Sequence, residues 1–147
     1  MVSLLDVNLL VALAWPNHIH HESAHRWFAH RARDGWATSS IVELGFVRVS
    51  SNARAIPAAA SPQEAAALLR RITALPHHNF WSDDVRFAES PQVALARVLG
   101  HQQVTDAHLV ALAIRHQGRL ATLDRGVGML VPDGHAAESV VELVASD

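Results

Sequence analysis

The chain contains no cysteine among its 147 residues. This absence excludes disulfides, cysteine nucleophiles and thiolate metal sites, so any metal would have to be bound by oxygen or imidazole ligands. Lysine is missing too, because all twelve basic side chains are arginine. Walker-type ATPases, Schiff-base enzymes and receiver-like phosphoacceptors each depend on a lysine, so these classes are excluded or severely handicapped.

The sequence also has no long apolar run and only a small net charge. The apolar start of the chain is interrupted by Asp6 and Asn8, no basic residue precedes it, and no uncharged run approaches the ~18 residues of a membrane span. We therefore expect a soluble, cytoplasmic protein with no membrane partner. The net charge is -2 with histidines neutral. This small charge is not that of a protein that binds nucleic acid over a broad basic surface. Any RNA would be bound at a small part of the surface.

The length suits one domain, which we place at residues 1–147. Apolar runs alternate with stretches of helical periodicity. Strands are predicted at 2–5, 36–38, 79–82, 119–123 and 139–144. Helices are predicted at 8–14, 21–33, about 40–49, 61–75, 91–99 and 105–117. Strands separated by helices predict an α/β protein in which a central parallel sheet of about five strands is covered by helices on both faces.

Capping residues support several of these boundaries. Asn8 and Thr105 are expected to cap the helices that follow them, and Ser61, followed by proline and by glutamate three residues later, is a stronger capping signature. Gly35 and Gly118 stand where helices commonly end in a left-handed residue.

Four carboxylates occupy comparable places in this pattern: Asp6 and Asp124 directly after predicted strands, Glu43 and Asp106 in the opening turns of helices. Right-handed crossovers put the carboxyl ends of parallel strands at one edge, where open α/β sheets bind ligands. Clustered carboxylates repel one another unless protons or cations neutralise them, and Mg²⁺ and Mn²⁺ prefer oxygen ligands. The sequence therefore predicts a divalent-metal site, although each acid taken singly could equally cap a helix or face solvent.

The chain resembles the PIN-domain ribonucleases over nearly its whole length. The resemblance rests on Asp6 with Asn8, Glu43 in an Ile-Val-Glu-Leu helix, Asp106 in Thr-Asp-Ala, and Asp124 in Thr-Leu-Asp. Segments 25–28 and 45–49 are similar to the VapC toxins of bacterial toxin–antitoxin pairs.

That resemblance implies a three-layer PIN-like fold in which the four acids are catalytic and coordinate one or two Mg²⁺ ions, for which Mn²⁺ could substitute. Asn8, Thr105 and Thr122 would orient these ligands. It further implies water attack on a phosphodiester of structured RNA, of the tRNA or rRNA class, leaving 5′-phosphate and 3′-hydroxyl ends. The expected partners are a small cognate antitoxin and a second copy of the chain, with residues 65–75 as one possible dimer surface.

RNA contacts would have to come from side chains around the acids, because carboxylates cannot attract phosphate by themselves. The arginine candidates are Arg48, Arg54, Arg86 and Arg125. Arg125 is the strongest of them because it adjoins Asp124, yet each could equally be a solvated or ion-paired surface residue.

A competing motif runs from His21 to His25, a literal HExxH match of the kind that binds zinc in metalloproteases. With eleven histidines in the chain a chance match is unsurprising, Arg26 follows where zinc proteases favour an uncharged residue, and no third-ligand motif follows. His18 and His20 add imidazoles nearby, and His108 could turn towards the acids. We expect these histidines to lie at the surface or the edge of the core, with adventitious metal binding as the next alternative.

Two other classes compete with the nuclease. A haloacid-dehalogenase-like phosphatase requires Asp-x-Asp where this chain has Asp6 and Asn8. A PIN-like module that binds RNA or protein without cleaving either is the principal non-enzyme alternative. All four acids are present, which favours the nuclease over a degenerate relative.

Overall fold

The computed structural model describes residues 1–144. Its strands are β1 (Ser3–Leu5), β2 (Trp36–Ser39), β3 (His78–Trp81), β4 (Arg119–Thr122) and β5 (Val141–Leu143). They form one sheet in the order β3-β2-β1-β4-β5, and every pairing is parallel. The predicted parallel sheet of about five strands is therefore confirmed.

The α-helices are α1 (Val7–Ala14), α2 (His21–Arg31), α3 (Ser40–Ser50), α4 (Pro62–Thr73), α5 (Val104–Arg115) and α6 (Ala137–Val140). From β1 the chain moves outward to β3 and then returns to the other side of β1 to form β4. Right-handed crossovers consequently place the helices before β3 on one face and α5 with α6 on the other. The α/β class with helices on both faces is confirmed.

The core surrounds the central strand β1, all three residues of which are buried. On one face Trp36 and Phe46 are fully enclosed, and on the other every residue of α5 from 107 to 113 is buried. A helix buried on nearly all sides is fixed against the sheet, and its first turn carries Asp106. No helix within residues 1–144 has both the length and the apolar character needed to cross a bilayer.

Two helix-stop predictions have different outcomes. Gly35 does adopt a left-handed backbone, with φ of 97°. At the end of α5 the left-handed residue is Gln117, with φ of 57°, and not Gly118. Gly118 is required for space instead, because an added Cβ would lie 2.5 Å from both the Val2 carbonyl oxygen and the Trp81 ring. Sequence spacing identified the turn but assigned the wrong residue to it.

The predicted helix at 91–99 is wrong. The segment consists of turns with a short 3-10 helix at Leu95–Arg97, and Val93 is its single buried apolar residue. The Arg97 guanidinium donates to the carbonyl oxygen of Val131 at 2.7 Å and forms an ion pair with Asp133. These tertiary contacts hold the segment in its irregular conformation, whereas an isolated nine-residue helix has little stability of its own.

The predicted strand at 139–144 is also partly wrong, because its first residues belong to α6 and only Val141–Leu143 pair with β4. Ser139 donates a hydrogen bond to the Ala136 carbonyl oxygen at 2.8 Å, which stabilises the helical turn before the strand. At α5 the cap is Gln103 and the helix begins at Val104, so the predicted cap at Thr105 lies one residue inside the helix. The remaining boundaries differ from prediction by a few residues, and Ser61 forms the predicted capping box with Glu64.

Candidate active site

The sheet changes direction between β1 and β4, since β2 lies on one side of β1 and β4 on the other. Such a switch point leaves a crevice beyond the carboxyl ends of the two strands, because the crossovers from them leave on opposite faces. Asp6 follows β1 directly, and Asp124 follows β4 by two residues. The fold therefore brings to this crevice two of the four acids expected there.

The Asp6 carboxylate is almost fully buried, with 5% of the residue exposed. One oxygen, Oδ1, accepts the backbone N–H of Leu9 at 2.8 Å, which makes Asp6 the cap of α1. The other, Oδ2, accepts the Thr122 hydroxyl at 2.5 Å. The prediction that Asn8 caps this helix is wrong: Asp6 comes before the first helical turn, and Asn8 is an exposed residue within that turn.

Burial raises the pKa of Asp6 from 3.8 to about 6. The hydrogen bonds from Thr122 and Leu9 oppose that rise, whereas the nearby carboxylates of Asp106 and Asp124 add to it. Burial likewise raises the pKa of Asp106 to about 6, and Asp124 again contributes. Each aspartate thus lies within electrostatic range of the other two, in a site that favours protons or cations as partners.

Asp106 and Asp124 approach Asp6 from different elements. Asp106 is half-buried in the first turn of α5. Asp124 is exposed, its Oδ1 accepts the backbone N–H of Gly126 at 2.8 Å, and its own N–H donates to the Thr122 hydroxyl at 3.0 Å. The completely buried Thr122 side chain is therefore hydrogen-bonded to Asp6 and to the Asp124 backbone, which is the position that an orienting residue would need.

Glu43 lies apart from this group. It is in the first turn of α3, and its Oε2 accepts the Thr38 hydroxyl at 2.6 Å. That hydroxyl is also 2.8 Å from Nε2 of His78. Glu43 does not contribute to the pKa shifts of Asp6 or Asp106. Sequence reasoning found Glu43 but missed Thr38 and His78, which no motif singles out. Only the pairing of β2 with β3 brings His78 to Thr38.

The other predicted residues are less engaged. Asn8 and Thr105 are exposed and form no side-chain hydrogen bond with any residue in the range 1–144. Arg48 lies in the last turn of α3, the end remote from Glu43, and Arg54 lies beyond that helix. Arg125 is exposed beside Asp124. Arg86, the fourth predicted arginine, is exposed in the loop after β3. Of the four, Arg125 is the one adjacent in sequence to an acid of the site.

The histidines of the competing motif lie on α2, a helix that carries none of the four acids. The ring centroids of His21 and His25 are 4.4 Å apart. Nδ1 of His21 is 2.7 Å from the Ala12 carbonyl oxygen, so His21 contacts α1. His25 is exposed. His108 turns from the acids to the loop after β3, where its Nε2 is 2.9 Å from Asp83 Oδ1.

No three histidine, aspartate or glutamate side chains within residues 1–144 are arranged so that they could hold one metal ion together. This matters most for zinc, which usually requires three or four protein ligands. Mg²⁺ keeps several water ligands and is commonly bound by one or two carboxylates with substrate phosphates. The oxygen-only donors around Asp6, one of them buried with a raised pKa, fit that second chemistry.

Comparison with known proteins agrees with this geometry. A family model described as PIN domain matches residues 3–128, a range that contains all four acids. The chain is 48% identical over 124 residues to Ribonuclease VapC39 of Mycobacterium tuberculosis, covering 84% of this chain and 89% of that protein. It is 38% identical over 143 residues to Ribonuclease VapC44 of the same organism, covering 97% and 100%. The chain belongs to the PIN-domain family. Its resemblance to the VapC branch is confirmed.

Solved structures show the same PIN-domain fold. One is the VapBC2 complex of Rickettsia felis bound to a DNA fragment from its promoter, with a TM-score of 0.66, 14% identity and coverage of 99% of this chain and 100% of that chain. Another is FitAcB from Neisseria gonorrhoeae, with a TM-score of 0.59, 20% identity and coverage of 96% of each chain. At these identities the likeness establishes the fold alone.

The Thr122 hydroxyl can be tested by two matched substitutions. Thr122→Val keeps the side-chain shape but removes the hydrogen bond that opposes the raised pKa of Asp6. We expect the pKa of Asp6 to rise above that of the wild type in Thr122→Val and to stay close to it in Thr122→Ser. NMR titration of the Asp6 side-chain carboxyl carbon measures both. An unchanged pKa in Thr122→Val would show that the hydroxyl does not stabilise the ionised carboxylate.

Proposed function

We propose that this PIN-domain protein is a Mg²⁺-dependent endoribonuclease toxin that cleaves structured RNA of the tRNA or rRNA class and is neutralised by a cognate antitoxin. Mn²⁺ would substitute for Mg²⁺. The observation that carries the proposal is the group of three aspartates at the sheet switch point, with Asp6 buried and its pKa raised to about 6. The relatives at 38% to 48% identity bear the name ribonuclease, which supports the same activity here.

The residues of the site would have different roles in binding the cation. Asp6, together with Asp106 or Asp124, would bind the cation along with several water ligands, and Glu43 would contribute from α3. Thr122 fixes the Asp6 carboxylate and the Asp124 backbone relative to each other. A bound divalent cation would supply an acidified water as nucleophile and would neutralise charge at the phosphate. Because Asp6 is already buried and hydrogen-bonded, little reorganisation would be needed when the substrate arrives.

RNA capture would be local. The chain is nearly neutral overall, so long-range attraction to a polyanion is weak. Arg125 is the side chain best placed to contact a phosphate beside the acids, because it is exposed and adjoins Asp124. A target recognised by its folded shape suits a protein with few basic contacts, since the fold of the RNA then provides the selectivity.

An antitoxin would close the same crevice. The VapBC2 neighbour is described as a complex bound to a promoter DNA fragment, and the family suggests a small antitoxin whose C-terminal segment lies across the acids. An arginine on that segment could pair with the carboxylates in place of the cation, since arginine and carboxylate form strong charge-assisted hydrogen bonds. The family also suggests homodimerisation.

Removing one carboxylate at a time tests the nuclease directly. We expect Asp6→Asn and Asp106→Asn to lower RNA cleavage by about 100-fold or more, because each removes a charge that the cation would neutralise. Growth arrest after induced expression should be lost in parallel. The matched control is Asp34→Asn, an exposed aspartate in the turn before β2, at the opposite edge of the sheet. The measurement is mapping of new 5′-phosphate ends in total RNA, with Mg²⁺ or with EDTA.

Other outcomes of that experiment favour the alternatives. Growth arrest that persists in a folded Asp106→Asn variant contradicts the nuclease. Retained RNA or partner binding without any cleavage by the wild type would favour a silent PIN-like module. Peptidase activity with one equivalent of zinc, lost in His21→Ala, would favour the metalloprotease.

The pH dependence of Mg²⁺ stabilisation tests the same site without substrate. The pKa of Asp6 and of Asp106 is raised from 3.8 to about 6 in the folded protein, so the stability they contribute is greatest below the unfolded value and is lost as pH rises through about 6. A cation that replaces the lost protons should therefore raise the melting temperature more at about pH 7.5 than at about pH 5. Thermal denaturation with and without millimolar Mg²⁺ measures this. Equal shifts at both pH values would place the Mg²⁺ effect outside the aspartates.

A further inference from the structure

A second threonine lies at the carboxyl edge of the sheet, on the other side of the crevice. Thr38 is completely buried in β2, and its hydroxyl is 2.6 Å from Oε2 of Glu43 and 2.8 Å from Nε2 of His78. It therefore connects a carboxylate on α3 with an imidazole on the edge strand β3. Glu43 alone of these three was identified from sequence.

The number of protons on the three side chains decides which group donates in each hydrogen bond. An ionised carboxylate can only accept, and a hydroxyl has one proton, so Thr38 donates to Glu43. The Thr38 oxygen must then accept from His78, which places a proton on Nε2. Burial lowers the pKa of His78 below 6.5, against a smaller opposing effect of Glu43. The imidazole ring is therefore neutral near pH 7, and its single N–H proton is on Nε2.

The arrangement matches that at the end of β4. There Thr122 donates to Asp6 and accepts the backbone N–H of Asp124. In both places the threonine oxygen accepts a hydrogen bond from an N–H group. The hydroxyl proton is therefore donated to the carboxylate. At β4 the N–H group belongs to the backbone, whereas at β2 it is supplied by the side chain of His78.

The His78 ring is held in place independently of Glu43. Its centroid is 4.7 Å from that of the Trp36 ring, which is fully buried. Trp36 is fixed in turn by an edge contact with Phe28, at 5.1 Å between centroids, and by donation from Nε1 to the Pro76 carbonyl oxygen at 3.0 Å. A fixed imidazole can define the direction of the Thr38 hydroxyl, because the ring cannot turn away without losing this packing.

We propose that His78 is a positioning residue that acts through Thr38 to hold the Glu43 carboxylate in the orientation that binds the divalent cation. The inference deepens the proposed function and depends on it. Glu43 lacks the two donors that fix Asp6, and Thr38 is the hydrogen-bond donor that it has among residues 1–144. Loss of the His78 N–H leaves the threonine hydroxyl free to rotate, so the carboxylate loses its defined position.

The test compares two replacements of His78. His78→Phe keeps a ring against Trp36 but has no N–H donor, whereas His78→Gln retains an amide donor of similar reach. We expect His78→Phe to weaken Mn²⁺ binding about tenfold and His78→Gln to restore most of the affinity, because residues that orient metal ligands typically contribute 10- to 100-fold. Isothermal titration of the RNA-free protein with Mn²⁺ measures this, and His30→Phe, an exposed histidine of α2, is the matched control.

A second set of variants separates positioning from packing. Thr38→Val should weaken Mn²⁺ binding as much as His78→Phe, and the double variant should be no weaker than either, because both residues act through one hydrogen-bonded chain. Thr38→Ser should behave like the wild type. This set also tests the inference if His78→Phe does not fold. Unchanged Mn²⁺ affinity in folded His78→Phe or in folded Thr38→Val, or additive losses in the double variant, would overturn it.

The outcome for the wild type distinguishes this inference from the function on which it rests. Wild-type protein that binds Mn²⁺ and cleaves RNA, with His78→Phe equal to it, overturns the role of His78 and leaves the nuclease intact. Wild-type protein that neither binds Mn²⁺ nor cleaves RNA overturns both.

Discussion

The carboxylate of Asp6 is buried where β1 and β4 end side by side, and it is held there by one threonine hydroxyl and one backbone N–H. Burial of a charge is unfavourable, and here it raises the pKa of Asp6 to about 6 despite both hydrogen bonds. The same side chain caps α1, so the position of that helix depends on the acid. Asp106 and Asp124 lie within electrostatic range of this carboxylate. A local structural requirement and a candidate chemical function thus coincide in one residue.

The four acids divide into two kinds. Asp106 and Asp124 are coupled electrostatically to Asp6, whereas Glu43 is held by Thr38 and does not share in that coupling. The described residues contain no ready-made group of three ligands. This separation suits an ion that retains water and completes its shell with a phosphate oxygen, because the ion would join the two sides as the substrate arrives.

The fold and the places of the acids could be predicted from sequence because they depend on local signals. Alternation of apolar runs with helical periodicity identified the strands and most helices, and the topology of parallel sheets put Asp6 and Asp124 at one edge. The cap of α1 was assigned to Asn8 because both residues are good caps, and only the backbone shows that Asp6 precedes the first turn. The helix at 91–99 was wrong because tertiary contacts of Arg97 override an apolar composition. Thr38 and His78 had no signal, since their contact depends on strand pairing across forty residues.

Crystals of this PIN-domain protein soaked in Mn²⁺ would show whether the crevice binds a divalent cation, because anomalous scattering locates the ion without any assay of activity. We expect an anomalous peak at the sheet switch point, within coordination distance of Asp6 and of at least one of Asp106 and Asp124. The peak should be absent in Asp6→Asn. An empty crevice with Mn²⁺ bound instead at the histidines of α2 would contradict this expectation.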